Sequence, residues 1–292
     1  MEKIGYIGLG IMGKPMVENL TKAEHKVNVC ARRQASVEAL NIDNKTDSIK
    51  AFSSPAELAN ASTIIISCVS DTPDVEEVLT GPKGVIHGVQ AGSLVIDMST
   101  ISPGATRSMA AQFTQKNTSL MDAPVSGGEV GAIDATLSIM AGGEAKDFDR
   151  ALPIFECLGK NIVHVGASGA GQVAKACNQI LVAQTMTAVA EAFLLAQSLD
   201  VDPAKVREAL LGGFAYSKIL EFHGQRMLDK SYDPGFKANL HAKDLRIALE
   251  SAQAHQINIL GAKLSNEYMQ QLVAQGDGEL DSAAIAKIVG SG

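Results

Sequence analysis

Along the first half of the chain, short and nearly continuous apolar runs alternate with helical patterns. The runs fall at 3–8, 26–31, 62–68, 93–97 and 119–123. They are rich in β-branched residues and apolar at successive positions, as strands buried on both faces are. Helical patterns fill the gaps near 12–22, 34–40, 55–60, 73–80 and 103–117. Pro55, Pro73 and Pro103 each stand where a first helical turn tolerates proline. The alternation predicts a parallel sheet with right-handed crossovers, and a further strand pair is expected at 136–140 and 161–165. The 41–50 stretch, polar from Asn41 to Asp47, reads as a surface loop.

The pattern changes after Gly166. Gly166-Ala167-Ser168-Gly169-Ala170-Gly171 interrupts the chain, and then no breaker occurs from Gln172 to about Ser198. That predicts one helix roughly 40 Å long at 1.5 Å per residue. Residues 203–290 read as further helices. The expected organisation is therefore an α/β domain over 1–165 and an all-helical domain over 166–292, joined by the long helix.

Composition narrows the function classes. At 292 residues, 46% hydrophobic and 20% charged, the chain can bury a large core. A net charge of −7 argues against nucleic acid or an anionic membrane as partner. No uninterrupted apolar run reaches the ~18 residues that span a bilayer. Met1-Glu2-Lys3 leads directly into a strand, so no signal peptide and a cytoplasmic location are expected. Cys30, Cys68, Cys157 and Cys177 are far apart, and the six histidines are scattered. Reduced thiols and no metal are expected.

The chemistry starts at the N-terminus. The strand Ile4-Gly5-Tyr6-Ile7 runs into Gly8-Leu9-Gly10-Ile11-Met12-Gly13 and then a helix. This is the G-x-G-x-x-G arrangement in its required context, and it marks 1–165 as a Rossmann-type domain binding a nicotinamide dinucleotide. The helix end offers N–H groups and partial positive charge to the pyrophosphate. The second strand ends in Ala31-Arg32-Arg33, with no carboxylate to bond a ribose 2′-OH. Two guanidiniums suit a 2′-phosphate, so NADP is expected to be preferred, with NAD possible as an alternative. Asp122-Ala123-Pro124-Val125-Ser126-Gly127-Gly128 follows a strand. Its Ser126 hydroxyl and glycine N–H groups form a candidate carboxylate site, with Asp122 ordering the loop. On the long helix, Lys175 and Asn178 share a face. Burial and the positive helix end would favour the neutral form of Lys175, suiting it to acid–base work. Lys243 and Asp244, being adjacent, read by spacing alone as a solvated charge pair.

Taken in order, Gly5 to Gly13 with Pro15, Asp122 to Gly128, Gly169-Ala170-Gly171 with Lys175 and Asn178, and Lys243-Asp244 resemble the β-hydroxyacid dehydrogenase family over nearly the full length. Asp71 to Leu79, Gly212 to Ser217 and Pro234 to Leu245 are most similar to its tartronate semialdehyde-reducing branch. The resemblance implies NAD(P)H-dependent reduction of a short semialdehyde acid, tartronate semialdehyde to glycerate. It implies that Lys175 is the acid/base, that Asn178 holds substrate, and that Ser126, Gly127 and Gly128 bind its carboxylate. Thr100 would lie by the nicotinamide, Val69 on the adenosine side, and Lys243 on the cofactor. Phe236 and Asp244 would support the substrate site. A metal-independent homodimer or homotetramer is implied. Asp281-Ser282-Ala283-Ala284 departs from the Asp-His-Ser-Ala expected of that branch, which puts the C-terminal substrate contact in question. Rival readings are a succinic or glyoxylic semialdehyde reductase, a 3-hydroxyisobutyrate dehydrogenase, or a non-catalytic NADP-binding module. The intact Lys175 and Asn178 argue against the module.

Overall fold

The computed structural model describes residues 2–43 and 48–290. The chain divides into two compact units, Met1–Lys175 and Ala176–Gly292. The division between these units falls inside the long helix, whose first turns are tied to the sheet.

In the first unit the order is β1 (Ile4–Ile7), α1 (Gly13–Lys22), β2 (Val27–Cys30), α2 (Gln34–Asp43), β3 (Ile49–Ala51), α3 (Pro55–Asn60), β4 (Ile64–Ser67), α4 (Thr72–Thr80), β5 (Leu94–Asp97), α5 (Pro103–Thr114), β6 (Ser119–Asp122), β7 (Val125–Ser126), α6 (Gly128–Ile133), β8 (Leu137–Gly142), α7 (Ala145–Glu156) and β9 (Gly159–Gly166). The sheet runs β3-β2-β1-β4-β5-β6-β8-β7, with β9 beside β8. From β3 to β6 every pairing is parallel. At the far edge the all-parallel expectation fails: β8 runs antiparallel to β6 and β7. Residues 127–136 between β7 and β8 are too few for a crossover, so the chain turns back instead.

The central strands are covered on both faces. Ile4, Tyr6, Ile64, Ile66, Leu94 and Ile96 pack with Met16, Val17 and Leu20 of α1. The alternate positions Ile7, Ile65 and Val95 pack with Leu58, Leu79 and Phe113 on the other side. Pro55, Pro73 and Pro103 all lie in first helical turns, and Ser54, Asp71 and Ser102 cap those helices with side-chain oxygens. α5 stops short of residue 117, where Asn117 turns into the left-handed region at φ +53°. α2 continues through Asp43, because no glycine or proline breaks it, so Asn41 to Asp43 are helical rather than loop. Of the rest of that predicted loop, 44–47 lie outside the described residues, and Ile49 and Lys50 are in β3, paired with Val27 and Asn28 of β2.

The second unit holds most of α8 (Ala170–Ser198), then α9 (Pro203–Leu211), α10 (Gly224–Asp229), α11 (Ala238–Ala254) and α12 (Leu260–Leu272). Met186, Ala190 and Phe193 of α8 pack with Leu245 of α11, Met269 of α12 and Ile285. The absence of an apolar run proved a poor guide for α8. Its best 18-residue window has a mean hydropathy of 1.5, enough by length and composition to cross a membrane. Interspersed Gln and Thr hide this from a count of runs. The Met186–Phe193 segment is nonetheless a core element of its own unit.

Candidate active site

The glycine turn is built by contacts that differ at each glycine. Gly8 sits at φ +101°, and its N–H donates to the carbonyl of Cys30 at 3.0 Å, tying the turn to β2. A Cβ on Gly8 would come 2.2 Å from the Cys68 carbonyl oxygen, and one on Gly13 would come 1.9 Å from that of Gly8. Gly10 is different, for a Cβ there meets no protein atom within 4 Å. A side chain at Gly10 would stand in open space beside the turn. α1 has no side-chain cap and no acidic residue in its first turn, leaving its positive end available to an anion. A groove of about 510 Å³ runs beside it, lined by Gly10, Ile11, Lys14, Arg33 and Glu129 among others. These features fit the pyrophosphate of a dinucleotide. Arg33 lines this groove, whereas Arg32 is directed to Asp74 at 3.8 Å. Leu9 is packed in the core and Met12 is partly buried, so Leu9 can offer a ligand only its backbone.

Behind the turn, the ends of β4 and β5 are held by one carboxylate. Asp97 Oδ1 accepts from Ser67 Oγ at 2.8 Å, Ser99 Oγ at 2.7 Å and Ser99 N at 3.3 Å. Ser99 Oγ in turn accepts from Val69 N at 2.9 Å. Val69 and the segment containing Thr100 are thus brought together. Asp97 Oδ2 is buried with no hydrogen-bond partner among the described residues. Burial pushes this carboxyl up to about 6, against the downward pull of the two serines.

Ser126 and Gly127 lie where β7 passes into α6, with Gly127 at φ +138° and Gly128 at φ +64°. Asp122 does more than order its own loop. Its carboxylate accepts from Gly169 N at 2.7 Å and Gln172 N at 2.8 Å, capping α8 from the sheet. Burial raises its pKa, and those two backbone bonds oppose the rise. Lys175 follows in the second turn of α8 and is only 6% exposed.

In the second unit, Asn178 Nδ2 donates to Gln179 Oε1 at 2.7 Å, and Gln179 Nε2 donates to Asp244 Oδ2 at 2.6 Å. Asp244 Oδ1 pairs with Lys243 Nζ at 2.9 Å. The reading of Lys243 and Asp244 as a solvated pair is therefore corrected: Asp244 is buried, Lys243 is mostly shielded, and the two are paired. Neighbours on a helix point about 100° apart, and the four-carbon stem of lysine is long enough to fold back across that angle. Phe236 is half-buried and stacks obliquely on His241, ring centroids 5.5 Å apart.

Gln172 and Gln179 were not singled out by sequence, and Asp281 was named only within the Asp281-Ser282-Ala283-Ala284 segment. Asp281 is 1% exposed and accepts from Gly235 N, Phe236 N and Ala283 N, each at 3.0 Å. Arg226 and His223 lie 3.3 and 3.4 Å from its oxygens. Its one legible signal was Asp before Ser-Ala-Ala, a helix-cap pattern. Among the described residues no group of three or more His, Cys, Asp or Glu could hold a metal ion.

Residues 3–166 match the family model described as the NAD binding domain of 6-phosphogluconate dehydrogenase. Residues 169–289 match that described as NAD-binding of NADP-dependent 3-hydroxyisobutyrate dehydrogenase. The chain is 44% identical over 285 residues to 2-hydroxy-3-oxopropionate reductase of Escherichia coli K12, spanning 98% of this chain and 96% of that protein. It is 34% identical over 295 residues to the NAD-dependent L-serine dehydrogenase of Pseudomonas aeruginosa, spanning 99% and 98%. The solved 3-hydroxyisobutyrate dehydrogenase of Mycobacterium tuberculosis with L-serine superposes with a TM-score of 0.92 at 28% identity, over 100% of both chains. An NAD(P)-binding Rossmann unit followed by a helical unit, matched along the whole length by oxidoreductases that act on CH–OH groups, makes this chain an NAD(P)-dependent oxidoreductase and a member of the β-hydroxyacid dehydrogenase family.

Proposed function

We propose that this enzyme reduces 2-hydroxy-3-oxopropionate (tartronate semialdehyde) to glycerate, with NADPH preferred over NADH. The observation that carries the reaction is Lys175, an amine kept out of bulk water in the second turn of α8, whose N-terminus a buried carboxylate caps. The choice of substrate is supported by the 44% identity to the E. coli reductase. The choice of NADPH is supported by Arg33 beside Gly10 and Ile11, with no carboxylate at the β2 tip.

When bound, the reduced nicotinamide supplies a hydride to the aldehyde carbon. Lys175 hydrogen-bonds the aldehyde oxygen and gives it a proton as negative charge develops there, so the contact strengthens in the transition state. Ser126 and the N–H groups of Gly127 and Gly128 hold the substrate carboxylate and so orient the reacting carbon. Asn178, Phe236 and Asp244 help to hold the substrate. Gly8, Gly10, Ile11, Met12, Gly13, Arg32, Arg33, Val69, Thr100 and Lys243 serve the cofactor, with Leu9 contributing backbone. The apolar residues exposed on the helical unit support a homodimer or homotetramer.

A panel of two- to four-carbon semialdehyde acids, each assayed with NADPH and NADH, tests the assignment. The highest kcat/KM is expected for the three-carbon hydroxy-semialdehyde with NADPH. A succinic or glyoxylic semialdehyde ranking first, or NADH equalling NADPH, overturns the corresponding half. Lys175→Ala is expected to lower kcat by on the order of 10²–10⁴ while NADPH still binds. Near-normal turnover removes Lys175 from the reaction.

A further inference from the structure

Gln172, the third residue of α8, is 1% exposed and has its polar groups committed in three directions. Its backbone N–H goes to Asp122 Oδ2 at 2.8 Å. Its side-chain Nε2 donates to the carbonyl oxygen of Ser99 at 2.8 Å, and its Oε1 accepts from the N–H of Ile101 at 3.1 Å. Ser99 and Ile101 flank Thr100. One amide plane therefore pins the backbone on both sides of Thr100, satisfying two buried groups that have no strand beside them. The polarity of the two partners fixes which way the amide faces, since only its oxygen can accept from Ile101 and only its NH₂ can donate to Ser99. Lys175 stands three residues further along the same helix, on the neighbouring turn of the same face.

We propose that Gln172 is a positioning residue that sets the register between the Thr100 segment and Lys175, and thereby between the hydride donor and the proton donor. The inference rests on the reading of Lys175 as acid/base and of Thr100 as the nicotinamide neighbour. Gln172 itself handles neither the proton nor the hydride. Its effect is geometric: both reacting groups must meet one carbonyl, and a misplacement of about 1 Å can cost on the order of 10² in rate. An apolar side chain could fill the same volume, but it could not hold two peptide groups of opposite polarity.

The test compares Gln172→Met with Gln172→Glu. Met keeps length and burial but makes neither bond. Its kcat is expected to fall by about 10- to 100-fold, with KM and NADPH affinity within about threefold of the parent. Glu can accept from Ile101, yet when ionised it repels the Ser99 carbonyl. Once protonated, it regains a donor and becomes nearly isosteric with the native amide. The ratio of its kcat to the parent's is therefore expected to rise as pH falls from about 8 to 5, because burial beside a carbonyl raises a carboxyl pKa. The Met variant should show a flat ratio. A contribution to stability alone would not produce that recovery in kcat. Full turnover in Gln172→Met overturns the proposal, as does a Glu ratio that stays flat with pH. Should the Met variant fail to fold, the Glu profile decides alone, since its acid form restores both bonds. If Lys175→Ala is inactive while both Gln172 variants turn over normally, this inference fails and the function stands. If Lys175→Ala is active, the functional reading itself fails.

Discussion

At the scale of single residues, the glycine turn separates folding from binding. Gly13 is required by the protein itself, since an added methyl would lie 1.9 Å from the backbone oxygen of Gly8. Gly13→Ala should cost about 1–3 kcal/mol or more of stability, as overpacking against a rigid backbone does. Gly10 meets no protein atom within 4 Å and is not in the left-handed region. Gly10→Ala should therefore leave the melting temperature unchanged, or raise stability by up to about 1 kcal/mol through a stiffer unfolded chain. It should also weaken NADPH binding by at least about tenfold, equivalent to ~1.4 kcal/mol. Thermal unfolding and cofactor titration on both variants check this, and equal destabilisation by the two would refute the division. The G-x-G-x-x-G spacing made these residues legible in the sequence. It could not show which glycine is crowded by the protein and which faces open space, because that depends on the folded path of the turn and, for Gly8, on Cys68 and Val69 brought in after β4. Gln172 was illegible because its partners, Ser99 and Ile101, lie about seventy positions away.

At the scale of elements, buried charges do the fastening. Asp281 joins the loop before α11 to the helical turn Ser282–Lys287 that it caps, receiving the N–H groups of Gly235, Phe236 and Ala283 beside Arg226 and His223. Burial pushes its carboxyl up, but the bonds from His223, Ala283 and Phe236 outweigh this and bring it down to about 2. A carboxyl with a lowered folded pKa stabilises above its unfolded value of 3.8, and that contribution is lost as pH falls through about 2. The shift corresponds to roughly 2 kcal/mol. Asp281→Asn should therefore be less stable than the parent at pH 7, and the gap should close as pH falls from about 4 towards 2. Urea midpoints over that range measure it, and a gap independent of pH would exclude the ionised carboxylate as the fastener. The same loop carries Phe236, so the departure at Ser282 leaves the fastening by Asp281 in place. Ser282 is buried beside Met186 and turned to the core. The Lys243–Asp244 pair teaches a related lesson. Helical spacing predicted divergence, but the flexible lysine stem reaches back to Asp244 Oδ1, while Gln179 of α8 takes up Asp244 Oδ2.

At the scale of the whole molecule, the fold was readable because its strongest signals are local. Apolar strands buried on both faces, prolines in first turns and an unbroken helical run each declare themselves within ten to thirty positions. The short edge strands β3 and β7, three and two residues long, were missed because no periodicity can be read over so few positions. The antiparallel turn at β8 was missed because it depends on the length of a connection rather than on the pattern within a strand. The surface of α8 carries a further consequence. Cys177, Leu181, Ala188 and Leu195 are all exposed and recur at helical intervals, with Leu181 68% and Leu195 62% open to solvent. An apolar stripe of this length on a water-facing helix is costly unless another surface covers it. A second copy is the expected cover, since the net charge of −7 gives no bias towards an anionic partner. Sedimentation velocity at micromolar protein should therefore give a dimer or tetramer. The double variant Leu181→Glu, Leu195→Glu should shift it towards monomer, because two charges would be buried unpaired at the contact. The variant sites lie outside the core cluster of the helical unit, so the monomer should keep its helical circular dichroism. A parent enzyme that sediments as a monomer, or a variant that keeps the parent's mass, would leave the stripe without that role.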